Sequence, residues 1–152
     1  MNRRGRFNKP GEKIIVADGS DEPVCFTAGD VNELAQAKGA NAAGLYILFD
    51  QYGIRPEALD VFYLAGGFGR NLNVESSKRI GLIPNLADAK IRQVGNASIE
   101  GACIALLSRA KRAELEALVK RVVHCNLEAH PRFFDCFVEG CQFGPLDFSE
   151  LP

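Results

Sequence analysis

Asp60-Val61-Phe62-Tyr63-Leu64-Ala65-Gly66-Gly67-Phe68-Gly69-Arg70-Asn71 is the stretch on which the reading of this chain turns. Its first half is short, apolar and rich in β-formers, the pattern of a buried strand. Its second half breaks that strand with Gly66, Gly67 and Gly69. Glycine accepts positive φ and lets a ligand approach the backbone with no Cβ in the way. The carboxyl end of a sheet strand is where α/β proteins bind ligands, and a helix starting nearby offers free N–H groups to phosphate oxygens. Asn71 adds a donor and an acceptor suited to a ribose or a base. The spacing is not G-x-G-x-x-G, and no Gly-Lys-Ser/Thr follows, so the dinucleotide and P-loop patterns are excluded. By themselves the glycines fit a tight structural turn equally well.

Upstream, Lys13 to Ala17 and Val24 to Thr27 are two short β-rich runs separated by Asp18-Gly19-Ser20-Asp21-Glu22-Pro23. That spacing predicts a hairpin, and Asp-Gly is read as its turn rather than as a phosphate loop. A long helix follows, capped by Thr27 or by Asp30 with Glu33 three residues later, and stopped at Gly53 before Pro56. Gly39 and Gly44 lie inside it. Glycine in a helix interior costs about 1 kcal/mol relative to Ala, so close approach is implied. The approaching group is a ligand or a second helix packed through small residues.

Downstream, Asn73 caps a short helix from Val74 to Ile80, Gly81 ends it, and Leu82-Ile83-Pro84 leaves extended. Ile91 to Val94 is a strand, and Gly95-Asn96-Ala97-Ser98 opens a helix with Ile99, Ala102, Cys103, Leu106 and Leu107 on one face. Ser108 caps another, whose face is Leu115, Leu118, Val119 and Val122. Val122 to Leu127 is expected to be a last strand, and Pro131 to start a short aromatic helix. Helices alternating with strands predict an α/β fold, a mixed sheet with helices packed on its faces.

A chain of 152 residues is the size of one domain. Residues 1–11 carry Arg3, Arg4, Arg6 and Lys9 among Asn and Gly and are expected to form a flexible arm, leaving 12–152 as a single lobe. Basic and acidic residues nearly balance, 18 against 19, which argues against a nucleic-acid partner. No apolar run is long enough to cross a bilayer and no signal-peptide core is present, so no membrane partner and a cytoplasmic location are expected. The five cysteines then stay reduced. Cys25, Cys103 and Cys125 are read as small core residues. Cys136 and Cys141, with His124 and His130 upstream, lack the spacing of a zinc or iron–sulfur site, so no metal ligands are assigned.

The order of these words resembles a known family. From Leu34 to Leu107 the chain is similar to the second lobe of the superfamily that contains actin, sugar kinases, acetate kinase and heat-shock ATPases, a ribonuclease H-like fold. The strand ending in Gly66-Gly67 with Asn71, the extended Leu82-to-Pro84 segment and the Gly95-Asn96-Ala97 helix start carry that likeness. A narrower match lies in Asp30-Val31, Ala37-Lys38-Gly39-Ala40, Tyr63 to Gly69, Arg79 to Pro84 and Val94 to Ala97. These look like the C-terminal domain of reductive activators of corrinoid proteins.

The resemblance implies that Gly66, Gly67, Phe68 and Gly69 line a nucleotide, with Asn71 as a nearby polar contact. It implies ATP with Mg²⁺ in the full-length setting, a [2Fe–2S] ferredoxin-like domain not bound by this chain, and a corrinoid protein as partner. Lys38, beside Gly39, is a candidate partner for nucleotide charge, the alternative being a solvated lysine. No ferredoxin cysteine cluster and no first-lobe Asp-x-Gly loop is recognised here. The chain is therefore expected to be one piece of a longer protein, without catalytic residues and inactive alone. Two other readings stay open. One is the C-terminal lobe of a sugar or acyl-phosphate kinase. The other is a non-enzymatic dimerisation module, a homodimer packed through Phe133, Phe134, Phe137, Phe143 and Phe148; the competing expectation is that these cover the lobe's own core.

Overall fold

The computed structural model describes residues 11–18 and 22–151. Residues 1–10 of the expected 1–11 arm and residues 19–21 of the expected Asp18-to-Pro23 turn lie outside the described residues. The hairpin strands form as expected: β1 (Lys13–Ala17) pairs antiparallel with β2 (Val24–Thr27). The chain then enters α1 (Ala28–Tyr52) through a capping box. The Asp30 amide donates to Thr27 Oγ1 at 3.3 Å and the Thr27 amide to Asp30 Oδ2 at 2.7 Å. Thr27 is therefore the cap, and Asp30 fills the role expected of Glu33. Gly53, at φ 67°, closes the helix in the left-handed conformation.

The buried face of α1 carries Lys38, Gly39, Ala42, Ala43, Ile47 and Phe49. Against it lies α6 (Phe133–Gly140). The two backbones touch at Gly39 and Gly140: a Cβ on Gly39 would sit 2.9 Å from the Phe137 oxygen, and one on Gly140 3.0 Å from the Gly39 oxygen. Helix-on-helix packing is thus the reason for Gly39. Gly44 is filled by Leu127, whose Cδ1 would be 3.3 Å from an added Cβ.

Residues 141–151 run back across this pair as a strap. Phe148 stacks on Tyr46 at 6.3 Å and meets Phe49 edge-on at 5.5 Å. Arg55 donates to the Phe148 and Ser149 carbonyls at 3.2 and 3.1 Å. Arg132 pairs with Glu150 at 2.8 Å and lies over the Tyr46 ring. Leu151 ends the strap buried. Phe148 therefore serves the chain's own core, as the second expectation for the aromatic tail had it, whereas Phe134 is exposed.

The rest of the chain builds a parallel strand pair. β3 (Phe62–Leu64) aligns with β4 (Ile91–Gln93) in the register Phe62 to Ile91, Tyr63 to Arg92 and Leu64 to Gln93. Between them come α2 (Gly66–Asn71), α3 (Val74–Ile80) and a 3-10 turn at Asp88–Lys90. Asn73 caps α3 by accepting from the Ser76 amide at 2.8 Å, and Gly81 stops it. Ile83, Pro84 and Leu86 bury the following extended segment, and Asn41 of α1 donates to the Leu82 carbonyl at 2.6 Å. After β4 come α4 (Ala97–Leu107), capped by Asn96, and α5 (Arg109–Val119), capped by Ser108 as the sequence reading holds.

Three expectations are corrected. Gly66 to Asn71 is a short helix, not a loop. Val122 to Leu127 forms no strand. It has β-branched residues but no neighbouring strand, and a backbone without a ladder has no reason to extend. Cys103 is exposed rather than buried, and neither α4 nor α5 buries a residue. The described strands form two separate two-stranded sheets. The α/β character of the fold stands.

Candidate functional site

β3 and β4 run in the same direction and end side by side. The Val94 amide donates to the Leu64 carbonyl at 2.9 Å, and the Gly66 amide to the Gly95 carbonyl at 2.9 Å. These two bonds carry the parallel ladder past the strands into the two turns. α2 and α4 therefore both start at the carboxyl edge of the same sheet, the edge where α/β folds expose ligand-binding turns.

The glycines of the first turn differ in what they do. Gly66 holds φ +85°, a conformation that side chains disfavour. Gly67 is helical with ordinary φ, and an added Cβ there would meet nothing within 4 Å. Nothing in the described chain asks for glycine at 67, so its openness faces outward. Gly69 is buried, and its Cβ would lie 3.0 Å from the Leu64 carbonyl carbon. Close packing of α2 onto β3 accounts for Gly69. Phe68 projects outward, 74% exposed, and Tyr63 on the outer face of β3 is exposed too.

Asn71 donates through Nδ2 to the Gly67 carbonyl at 2.8 Å, so its amide braces the helix while its side-chain oxygen faces away from that bond. Gln93 does more. Its Nε2 reaches the Gly69, Arg70 and Leu72 carbonyls at 2.9, 3.2 and 2.8 Å. These are carbonyls at the end of α2 that a six-residue helix cannot satisfy internally. Sequence reasoning passed over Gln93, which follows Ile91 and Arg92 in a three-residue strand and carries no local signal of its role. The helix starts also differ: Asn96 caps α4 by accepting from the Ile99 amide at 3.1 Å, whereas Ala65 gives α2 no side-chain cap.

Lys38 is not gathered with these residues by any contact it makes. Its side chain is fully buried, and its ammonium donates to the Gly140 carbonyl and, at 2.6 Å, to the Gln142 carbonyl, with the Phe143 ring 5.7 Å away. The solvated alternative is therefore overturned. Lys38 caps the carboxyl end of α6, where cations are favoured. Burial holds its pKa below the ordinary lysine value.

Two clefts flank the strap. One of about 500 Å³ is lined by Lys38, Tyr46, Cys136 and Phe143, and the other, of about 340 Å³, by Arg55, Pro84 and Leu146. Neither includes a residue of Gly66–Asn71. Among the described residues no three His, Cys, Asp or Glu side chains converge as metal ligands, and no helix is long and apolar enough to cross a membrane. Burial pushes the Cys136 thiol up, which keeps it protonated and unreactive.

Set against known proteins, residues 2–152 match the family described as the C-terminal domain of RACo, the ASKHA domain. The corrinoid activation enzyme RamQ of Eubacterium limosum is 30% identical over 134 residues, which are 87% of this chain and 23% of that protein. A Co(II) methylated amine-specific corrinoid protein reductase of Methanosarcina barkeri is 30% identical over 118 residues, 78% of this chain and 21% of its own length. Among solved structures, a reductive activator for corrinoid, iron–sulfur protein superposes with a TM-score of 0.79 at 33% identity, covering 88% of this chain and 22% of that one. The chain thus spans less than a quarter of each of these relatives.

Proposed function

This chain belongs to the family of C-terminal ASKHA domains of corrinoid activators, and from that premise we propose that it is the adenosine-side half of a nucleotide site in an ATP-dependent activator of a corrinoid protein. The observation that carries the reading is the pairing of two turns, Gly66-Gly67 and Gly95-Asn96, at the carboxyl ends of two parallel strands. Open space over Gly67 fits a flat ring system laid against the backbone, and exposed Phe68 offers an aromatic face beside it. The Asn71 oxygen is a polar group close to that turn in sequence. Gln93 acts as a positioning residue by pinning α2 to β4.

ATP with Mg²⁺ supplies the driving force when bound; these residues bind and orient it. The chain's own part is to hold the adenosine side still while another lobe closes, so that closure couples hydrolysis to a corrinoid partner. In this reading, catalysis of phosphoryl transfer and any [2Fe–2S] cluster belong to residues beyond this region. The named relatives are corrinoid activators, which favours this reading over a sugar or acyl-phosphate kinase.

The test joins this chain to the first lobe of an activator and titrates ATP with Mg²⁺ by calorimetry. We expect binding that weakens at least tenfold with Gly67→Val. A Cβ added at 67 meets nothing within 4 Å, and an unchanged circular dichroism spectrum of the variant assigns the loss to the ligand. Absent binding, or binding indifferent to Gly67→Val, would overturn the proposal.

A further inference from the structure

An asparagine side chain has two ends of opposite character, an oxygen that only accepts and an amino group that only donates. Which end meets a ligand is set by what the other end holds. At Asn71 the chain itself makes that choice. Nδ2 donates to the Gly67 carbonyl at 2.8 Å, and a carbonyl pairs only with a donor. Turning the amide over would set two oxygens against each other. Oδ1 is therefore held outward on an exposed residue, with no hydrogen-bond partner among the described residues.

The neighbouring amides are set differently. Asn96, at the second turn, spends its oxygen on the Ile99 amide at 3.1 Å and keeps only donors free. Gln93 spends its nitrogen at the carboxyl end of α2, on the Gly69, Arg70 and Leu72 carbonyls. Of the three, Asn71 is the one tied to Gly67, the residue with open space over it, next to the exposed Phe68 ring. A flat ring laid on that space brings its edge to Oδ1. Only an edge that carries an N–H satisfies an acceptor.

We propose that Asn71 is a specificity-determining residue of the nucleotide site: its oxygen accepts from the exocyclic amino group of a 6-aminopurine and disfavours a 6-oxopurine. The inference rests on the nucleotide reading above and names the class of base that this site takes. A 6-oxo group would face oxygen with oxygen and leave both without a donor. The bond to Gly67 is what makes the residue selective, because a freely turning amide would offer its nitrogen to a 6-oxo group equally well. The edge is open to water, so the discrimination is moderate and falls short of what a buried site reaches.

The test uses the full chain joined to the first lobe of an activator and compares ATP, inosine triphosphate and 2′-deoxy-ATP, each with Mg²⁺, by calorimetry. Inosine triphosphate carries a 6-oxo group where ATP carries the amino group. ATP should bind about tenfold tighter than inosine triphosphate. Asn71→Leu removes the oxygen and should bring the two affinities to within about twofold of each other. Asn71→Lys presents only donors and should reverse the preference. The readout is a ratio of two ligands on one protein. Loosening of α2, or a general gain from the lysine charge, moves both affinities together and leaves that ratio unchanged. Absent ATP binding removes the nucleotide reading and this inference with it. ATP binding that Gly67→Val weakens, with a ratio near one or a ratio that Asn71→Leu leaves unchanged, overturns the Asn71 assignment alone. A loss on Asn71→Leu that falls between ATP and 2′-deoxy-ATP instead also overturns it, and gives the oxygen to the sugar.

Discussion

Gly81 and Gly101 show how differently one residue type behaves. Gly81 sits at φ +76°, and an added Cβ would fall inside the Gly144 carbonyl oxygen. Gly81→Ala should destabilise by about 1–3 kcal/mol, read as a lowered urea midpoint. Gly101 is helical with open space around it, so Gly101→Ala in the same chain should stabilise by about 0.5–1 kcal/mol. A midpoint that moves the same way for both would contradict this account. Lys38 is the other telling residue. Lys38→Met strips the donor from the Gly140 and Gln142 carbonyls and should cost about 1–3 kcal/mol at neutral pH. Burial lowers the Lys38 pKa in the folded state, so the unfolded chain holds that proton more tightly. The Lys38 contribution to stability therefore rises with pH through the window below the ordinary value of 10.5 and levels above it. The gap between wild type and Lys38→Met should widen across that alkaline window in denaturation curves; a constant gap would remove the cause assigned here.

At the scale of elements, the caps at Thr27, Asn73 and Ser108 were readable because a cap is local: one side chain meets an amide two or three residues on. α2 was not readable as a helix. Three of its six residues are glycine, a composition of low helix propensity. What holds it is Gln93, more than twenty residues away. Gln93→Leu should therefore cost about 1 kcal/mol and speed amide exchange in α2 at least tenfold, with α1 unaffected. Unchanged exchange in α2 would mean that the helix stands without its brace. The absent strand at Val122 to Leu127 carries the converse lesson: β-propensity is spent only where a partner edge exists.

Across the whole molecule, the strap at 141–151 joins pieces that the chain order keeps far apart. It meets α1 through Phe148, the Arg55 turn through two carbonyls and α3's end through Gly81. Ending the chain at Gly140 should abolish cooperative thermal unfolding in near-ultraviolet circular dichroism, and a retained sharp transition would show the strap to be dispensable. Sequence by itself determined the order of most elements, most of their caps and stops, and glycines at a strand end in a recognisable family setting, because each depends on neighbours within a few residues. Only tertiary structure decided which glycines serve packing and which stand open. It alone showed that Lys38 clasps α6, that Gln93 supports the turn, and that α4 and α5 lie bare. Those outcomes rest on contacts between distant residues, and periodicity along a chain does not carry the identity of the neighbour across the gap.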